Sequence, residues 1–516
     1  MPTVRGNKTM LDDLPRGVPS RALHEHQTPA AAFADPKQIQ AAHHLRYTTD
    51  KIFLGVIGGE MVEDRAGERP GERYVTGGTL IGLKTDQHVS LIAGSRGGKG
   101  ISLVLPNLLG GYQGSVLVVD PKGELANLTA AFRAAIGQRV AVLDPFKITR
   151  RQTARFHATW NPLTLLKRQS PTLVEDAGLI ADALIVAGGE RDTHWDESAR
   201  AWIEGLILHI ATWPAYDGRR NLITVRRLLM RGTDFELDGE TFEGYDALRR
   251  EMAANDAAGG AVQDAAADFF ERPKDEQGSV LSTARRHTRF LSYQLLQDVL
   301  TGDDLDLAEL KTAAGGMTIY LCLPAERMST CFRWLRLFVN LTLSAMERTP
   351  VRPEVPVLLL LDEFAQLGHL RQLEVAAGQI AGFGVKLFTV LQDLTQLKRL
   401  YKESWETFLG NSGAIIAFGN NDVTTLDWLS KRLGKTSLIV ERKTQLTHDA
   451  RQKGASGDAW SNEVHDLMTA EEISRFFGRD DHLARMLVIR PGKDPMILQR
   501  VHYDRHPAFE GRFDHV

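Results

Sequence analysis

The stretch Val89-Ser-Leu-Ile-Ala93 is a short apolar run that gives way at once to Gly94-Ser-Arg-Gly-Gly-Lys-Gly100, and then to a second apolar run from Ile101 to Leu109. A buried strand, a turn of small residues carrying one lysine, and a helix starting immediately afterwards form a narrowly defined unit. Such a turn lets consecutive backbone N–H groups converge, with a helix N-terminus aimed at the same point, which is what an anionic phosphate requires. The spacing therefore predicts a nucleotide-phosphate loop made by Gly94, Ser95, Arg96, Gly97, Gly98, Lys99, Gly100 and Ile101, with Lys99 reaching the β- and γ-phosphates. Two positions depart from G-x-x-x-x-G-K-[ST]: Ala93 stands for the first glycine, and Gly100 for the hydroxyl residue that ligates Mg²⁺.

The surrounding pattern places this loop in an α/β fold. Val116-Leu-Val-Val119 and Val140-Ala-Val-Leu143 are further strand-length apolar runs, as parallel strands covered on both faces require. More follow at Met317 to Leu323, Val357 to Leu361, Val385 to Leu391 and Ala414 to Phe418, separated by helical stretches. Between them, residues 170–310 lose the strand signal and become Ala-, Leu- and Arg-rich with helical spacing. The expected organisation is an irregular arm over 1–76, within which the apolar piece Ile52 to Ile57 adds one strand or helix, a nucleotide-binding domain over 77–169 and 311–516, and an all-helical insertion over 170–310. His24, His26, His43 and His44 lie in the arm without the Cys or carboxylate company of a metal site.

Ligands of open α/β sheets bind beyond the carboxyl ends of the strands, so residues just after each run are the candidates for chemistry. Asp362 and Glu363 end Val357 to Leu361: Asp362 is the candidate Mg²⁺ ligand, and Glu363 the group that orients an attacking water. Gln392 ends Val385 to Leu391, where a neutral amide can sense a γ-phosphate. Asp120-Pro-Lys-Gly-Glu124 reads either as a turn into a helix or as a means of bringing Lys122 or Glu124 to the nucleotide or a subunit boundary. Trp195 and Trp202, seven apart on a helix, read as core rather than a stacking platform. Arg285-Arg-His-Thr-Arg289 reads as solvated helix charge rather than a phosphate contact.

The composition excludes several classes. With 62 Lys and Arg against 65 Asp and Glu, the net charge of −3 gives no bulk attraction for nucleic acid, so any such contact depends on local basic patches. Two cysteines, Cys322 and Cys331, cannot build a disulfide framework. Residues 1–50 do not read as a signal peptide, and the apolar runs are far shorter than the roughly 20 residues of a membrane span.

Taken together, these motifs resemble the coupling-protein ATPases of type IV secretion systems, the TraG/TraD family. The resemblance rests on Ala93 to Gly100 with its Arg96 and its Gly after Lys, Leu105-Pro-Asn-Leu108, Val119 to Leu125 and Val142-Leu-Asp-Pro-Phe146. It continues through Trp195-Asp-Glu-Ser-Ala-Arg200, Leu361-Asp-Glu-Phe-Ala-Gln-Leu-Gly368, Gln392 to Gln396, Leu409 to Ser412 and Phe418 to Asp422, and on to Leu487-Val-Ile-Arg-Pro-Gly492. It implies a RecA-like P-loop motor interrupted by an all-α domain, assembled as a homo-hexamer around a channel. Such a motor would use ATP and Mg²⁺ to recruit relaxase-bound DNA, or proteins, and drive them into the secretion channel. It also implies the roles of phosphate lysine for Lys99, Mg²⁺-side acid for Asp362, catalytic glutamate for Glu363 and γ-phosphate sensor for Gln392.

Two features depart from that family. Most members carry N-terminal membrane helices, whereas this sequence shows none. The expected location is therefore cytoplasmic, peripheral at the inner face of the membrane through secretion-channel components or a small membrane-anchoring partner. Some members place a trans-acting arginine in the stretch matching Gly378 to Gly382, where this sequence has Gln379, leaving Arg371 and Arg399 as substitutes. A DNA-pumping ATPase of the FtsK/HerA type outside secretion, and a nucleotide-dependent cargo adaptor with little turnover, are the alternative readings.

Overall fold

A computed structural model describes residues 31–64, 71–186, 193–237, 239–443 and 458–514. Part of the expected arm, including His24, His26 and much of the charged Gly/Pro stretch before Gly71, lies outside the described residues.

The organising element is an 11-stranded sheet. Its strands in chain order are β1 (Ile52–Ile57), β2 (Thr79–Leu83), β3 (His88–Ala93), β4 (Val116–Asp120), β5 (Arg139–Leu143), β6 (Met317–Cys322), β7 (Val357–Leu361), β8 (Val385–Leu391), β9 (Ser412–Phe418), β10 (Arg485–Ile489) and β11 (Met496–Gln499). Across the sheet they run β2-β1-β11-β10-β9-β3-β8-β7-β4-β6-β5. Every neighbouring pair from β5 to β9 is parallel. Every pair from β9 to β2 is antiparallel.

The apolar composition of the central strands follows from burial on both faces. In β7 the alternation is explicit: Val357, Leu359 and Leu361 face one core, while Leu358 and Leu360 face the other. The first core does not stop at the sheet. It runs without a break through Trp160 and the long helix Ala325–Arg348 into the helices of the expected insertion. The Trp160 and Phe338 ring centroids are 4.3 Å apart, and the helix Leu173–Leu184 is tied to Ala325–Arg348 by the Asp176–Arg348 ion pair. The helical block leaves after β5 and returns at β6; because these strands pair in parallel, the chain leaves at the carboxyl end of one and re-enters at the amino end of its neighbour.

Two expectations need correction. Residues 52–76 are not irregular: β1 is buried along its length between β2 and β11, and Glu60–Glu63 pairs with Arg73–Thr76 in a hairpin. Six apolar residues with two paired edges give up too much water-exposed surface to stay outside the sheet. Nor is 170–310 wholly helical, since Thr233–Leu237 pairs with Glu240–Glu243. The sequence signal was the Asp238-Gly239 pair, a two-residue hairpin turn.

Trp202 settles as core, stacked on Phe269 with centroids 3.9 Å apart, and Trp195 packs half-buried against the same core. The basic run is only partly solvated. The Arg285 Nε donates to Leu229 O at 2.7 Å, and buried His287 meets Asp196 at 3.0 Å. Cys322 and Cys331 are buried free thiols.

Candidate nucleotide-binding site

The loop after β3 is shaped by close approaches. Gly94 N–H donates to Phe418 O at 3.3 Å, and a Cβ added at Gly94 would fall 2.0 Å from Gly419 O, so only glycine can lie against the end of β9. Gly97 N–H closes the turn on Gly94 O at 3.0 Å. Arg96 and Gly98 both have left-handed backbone, at φ 57° and φ 85°. That conformation costs a non-glycine residue about 1 kcal/mol or more, which the loop bears at Arg96. A π-helical turn, Gly100–Val104, then leads into Leu105–Leu109.

The strand order decides what meets the loop. Immediately beside β3 lies β8, and β7 lies beyond it, so the carboxyl ends of these strands converge. Lys99 Nζ donates to Glu363 Oε1 at 2.8 Å and stands 4.0 Å from Asp362 Oδ1. Gln392 Nε2 donates to Glu363 Oε2 at 3.1 Å, while Ser95 Oγ donates to Gln392 Oε1 at 3.1 Å. Four side chains from three strand ends thus form one chain: Ser95, Gln392, Glu363, Lys99. Glu363 reaches it from left-handed backbone at φ 56°, another strained non-glycine residue.

Asp362 lies at the edge of this cluster, its Oδ1 accepting from Glu363 N–H at 3.1 Å. Burial pushes its carboxyl above the ordinary range; Lys99 opposes that shift and the Glu363 charge adds to it. A partly buried carboxyl in that state is one a divalent cation would stabilise. A Cβ at Gly100 meets nothing within 4 Å, so the missing hydroxyl does not reflect lack of space. On the next strand, buried Asp120 is pushed up to about 7 by burial, against its backbone hydrogen bonds from Ala126 and Lys122. It accepts from Ala126 N–H at 2.9 Å and so anchors the start of the helix Glu124–Ala135.

Other candidates stay outside the cluster. Lys122 and Glu124 are exposed and pair loosely at 3.9 Å. Arg371, Gln379 and Arg399 are exposed on helices, away from Lys99's contacts.

Two residues at the site were given no role by the sequence reading. Asn420 Nδ2 donates to Gln392 O at 3.2 Å, while its Oδ1 is buried without a hydrogen-bond partner. Arg500, just past β11, is buried and donates to Gly97 O at 3.2 Å, to Gly478 O at 3.2 Å and to Arg479 O at 3.1 Å. Its guanidinium also lies 4.9 Å from the Phe418 ring centroid. The signal was an arginine within the apolar run Met496 to Val501, where a solvated charge is out of place.

Residues 50–514 match the family model described as type IV secretory system conjugative DNA transfer. A conjugal transfer protein TraG from Escherichia coli is 26% identical over 96% of this chain and 79% of its own length. Among solved structures, the bacterial conjugative coupling protein TrwBdeltaN70 in unbound form superimposes with a TM-score of 0.59 at 15% identity, over 91% of this chain and 99% of that one. The plasmid coupling protein TrwB in complex with ADP and Mg²⁺ gives 0.58 at 16% identity, over 89% and 98%. At these identities the structural likeness is one of fold: a P-loop α/β architecture with a large, mostly parallel sheet.

Proposed function

Because this chain belongs to the type IV secretory system conjugative DNA transfer family, we propose that it is the ATP-hydrolysing coupling motor that delivers relaxase-bound DNA to a secretion channel. The observation that carries this reading is the meeting of Lys99, Glu363 and Gln392 at the ends of three strands, directly beside the glycine loop.

ATP enters where Lys99 now pairs with Glu363. The lysine exchanges its carboxylate partner for the β- and γ-phosphates, and the loop N–H groups take the remaining phosphate charge. Released from Lys99, Glu363 is free to accept a hydrogen bond from a water and orient it towards the γ-phosphorus, while Gln392 registers the γ-phosphate through its amide. Asp362 would hold Mg²⁺, which supplies charge neutralisation at the phosphates. Support for this nucleotide and metal comes from TrwB, of the same fold, captured with ADP and Mg²⁺.

The assembly we propose is a homo-hexamer, in which Arg371 or Arg399, exposed and without an ion-pair partner among the described residues, reaches the neighbouring subunit's site. Among the described residues no helix is long and apolar enough to cross a membrane. The proposed location is the inner face of the cell membrane, held there by channel components or a small membrane protein. Protein substrates are a second cargo of the same motor.

The test is transfer itself. Donor cells deleted for the gene are complemented with the wild type, with Lys99→Ala or with Glu363→Gln, and plasmid transfer is counted. Restoration by the wild type alone is expected. Full transfer with Lys99→Ala contradicts the proposal.

A further inference from the structure

The nucleotide loop occupies one edge of the sheet. At the other edge, where β8 begins rather than ends, lies a separate cavity of about 390 Å³. Lys386, the second residue of β8, lines it. Six residues along an extended strand separate Lys386 from Gln392, roughly 20 Å.

Lys386 is only 3% exposed. Among the described residues its ammonium has no hydrogen-bond or ion-pair partner, and the same holds for half-buried Arg490 in the same wall. Arg352 and Lys493 add unpaired positive charge, while Lys84 is already paired with Asp50 at 2.7 Å. Two carboxylates, Asp86 and Glu354, face these four cations. The stem of Lys386 is buried while its ammonium opens onto the cavity, a cation that is partly dehydrated before any anion arrives. The cavity therefore offers that cation to whatever anion enters it. Burial holds the Lys386 amine down at about 8, with Asp86 pulling it back up.

The lining narrows what that ligand is. No aromatic side chain borders the cavity, so it offers no surface on which a base could stack. The recognisable feature is anionic charge. With the whole chain at −3, attraction for a polyanion has to be local, and this cavity is one place among the described residues where cations without ion-pair partners gather. We propose that this cavity holds a backbone phosphate of the nucleic-acid strand the motor moves, gripped by Lys386 and Arg490. The inference rests on DNA being the cargo, but involves none of the residues that bind nucleotide. Because it reads phosphate and no base, the grip is indifferent to sequence, as transport of a long strand demands.

The test uses the full chain and a labelled single-stranded oligonucleotide, followed by fluorescence anisotropy across a salt series. Lys386→Met, close in size but uncharged, and Arg490→Gln should each weaken binding about tenfold or more. Each should also make the dependence of log affinity on log salt shallower by about 0.7. ATP affinity, measured in the same samples, should not change. If Lys386→Met does not fold, Arg490→Gln and the exposed Arg352→Gln carry the same comparison. Inorganic phosphate, titrated by calorimetry, separates a strand from a free anion. Loss of phosphate binding with oligonucleotide affinity intact overturns the proposal, as does wild-type affinity and salt slope in the variants. A wild-type chain that binds no oligonucleotide removes the DNA-cargo reading itself, a different failure from wild-type and variants binding equally.

Discussion

Lys99 Nζ donates a 2.8 Å hydrogen bond to Glu363 Oε1, so the lysine and the acid of the site neutralise each other before any nucleotide arrives. The same contact makes the two residues competitors. Phosphate competes with Glu363 for the charge of Lys99, and displacement of the carboxylate would set Glu363 free for water.

The first consequence concerns affinity. Lys99→Ala removes a charge-assisted phosphate contact worth about 1.5–3 kcal/mol, roughly 10- to 150-fold in Kd. Calorimetric titration with ATP should read a loss of that size, with the fold intact by circular dichroism. Unchanged affinity would remove Lys99 from the phosphate site.

Glu363→Gln should separate binding from turnover. The amide keeps shape and hydrogen bonding to Gln392 but no longer holds Lys99 by charge, so ATP affinity should be equal or severalfold higher. Hydrolysis should fall by at least about 100-fold, the usual worth of a positioned base. Steady-state turnover with equilibrium binding on one preparation reads both; weaker binding together with normal turnover would reverse the assignment.

How much of this was legible beforehand follows from where the information lies. Lys99, Glu363 and Gln392 each lie in the loop that follows an apolar run, and parallel strands deliver such loops to one edge, so local pattern plus one topological rule brought them together. Arg500 escaped because its contact with Gly97 joins residues 403 apart in the chain, and an arginine ordinarily reads as surface. Strand β1 was visible as an apolar piece, a strand or a helix, but its place in the sheet was not: its partners are β2 and the late strand β11, and nothing within Ile52 to Ile57 specifies them. The helical block was visible as a loss of strand periodicity. Its shared core with the sheet was not, because continuity of packing is a three-dimensional property.

That hidden contact gives Arg500 a measurable role. Arg500→Met removes the guanidinium that donates to Gly97 O, Gly478 O and Arg479 O, the first of these contacts buried and the other two partly so. A cost of about 2–4 kcal/mol in unfolding free energy is expected, with weaker ATP binding because Gly97 belongs to the loop. Denaturant unfolding and calorimetry should show both. Normal stability with normal affinity would make the contact incidental.

A pH dependence follows from His88 on the loop strand. Its Nε2 donates to Ala377 O at 3.1 Å and its Nδ1 accepts from Leu387 N–H at 3.2 Å, an arrangement open only to the neutral ring. Burial lowers its pKa from 6.5 to about 4. Between those values the unfolded chain binds a proton the folded chain refuses. Stability from this group is therefore complete above about pH 6.5 and lost as pH falls towards 4, by up to about 3 kcal/mol. Denaturant midpoints of the wild type and His88→Gln across that window should diverge, with the variant flatter. Parallel profiles would mean that His88 is protonated in the fold.

The central claim is that ATP hydrolysis at Glu363 drives DNA, and its most direct test is ATP turnover by the purified full chain with Mg²⁺, with and without single-stranded DNA. The wild type should hydrolyse ATP, faster when DNA is present, and Glu363→Gln should do neither. Turnover that ignores both the DNA and the Glu363→Gln substitution would contradict the account.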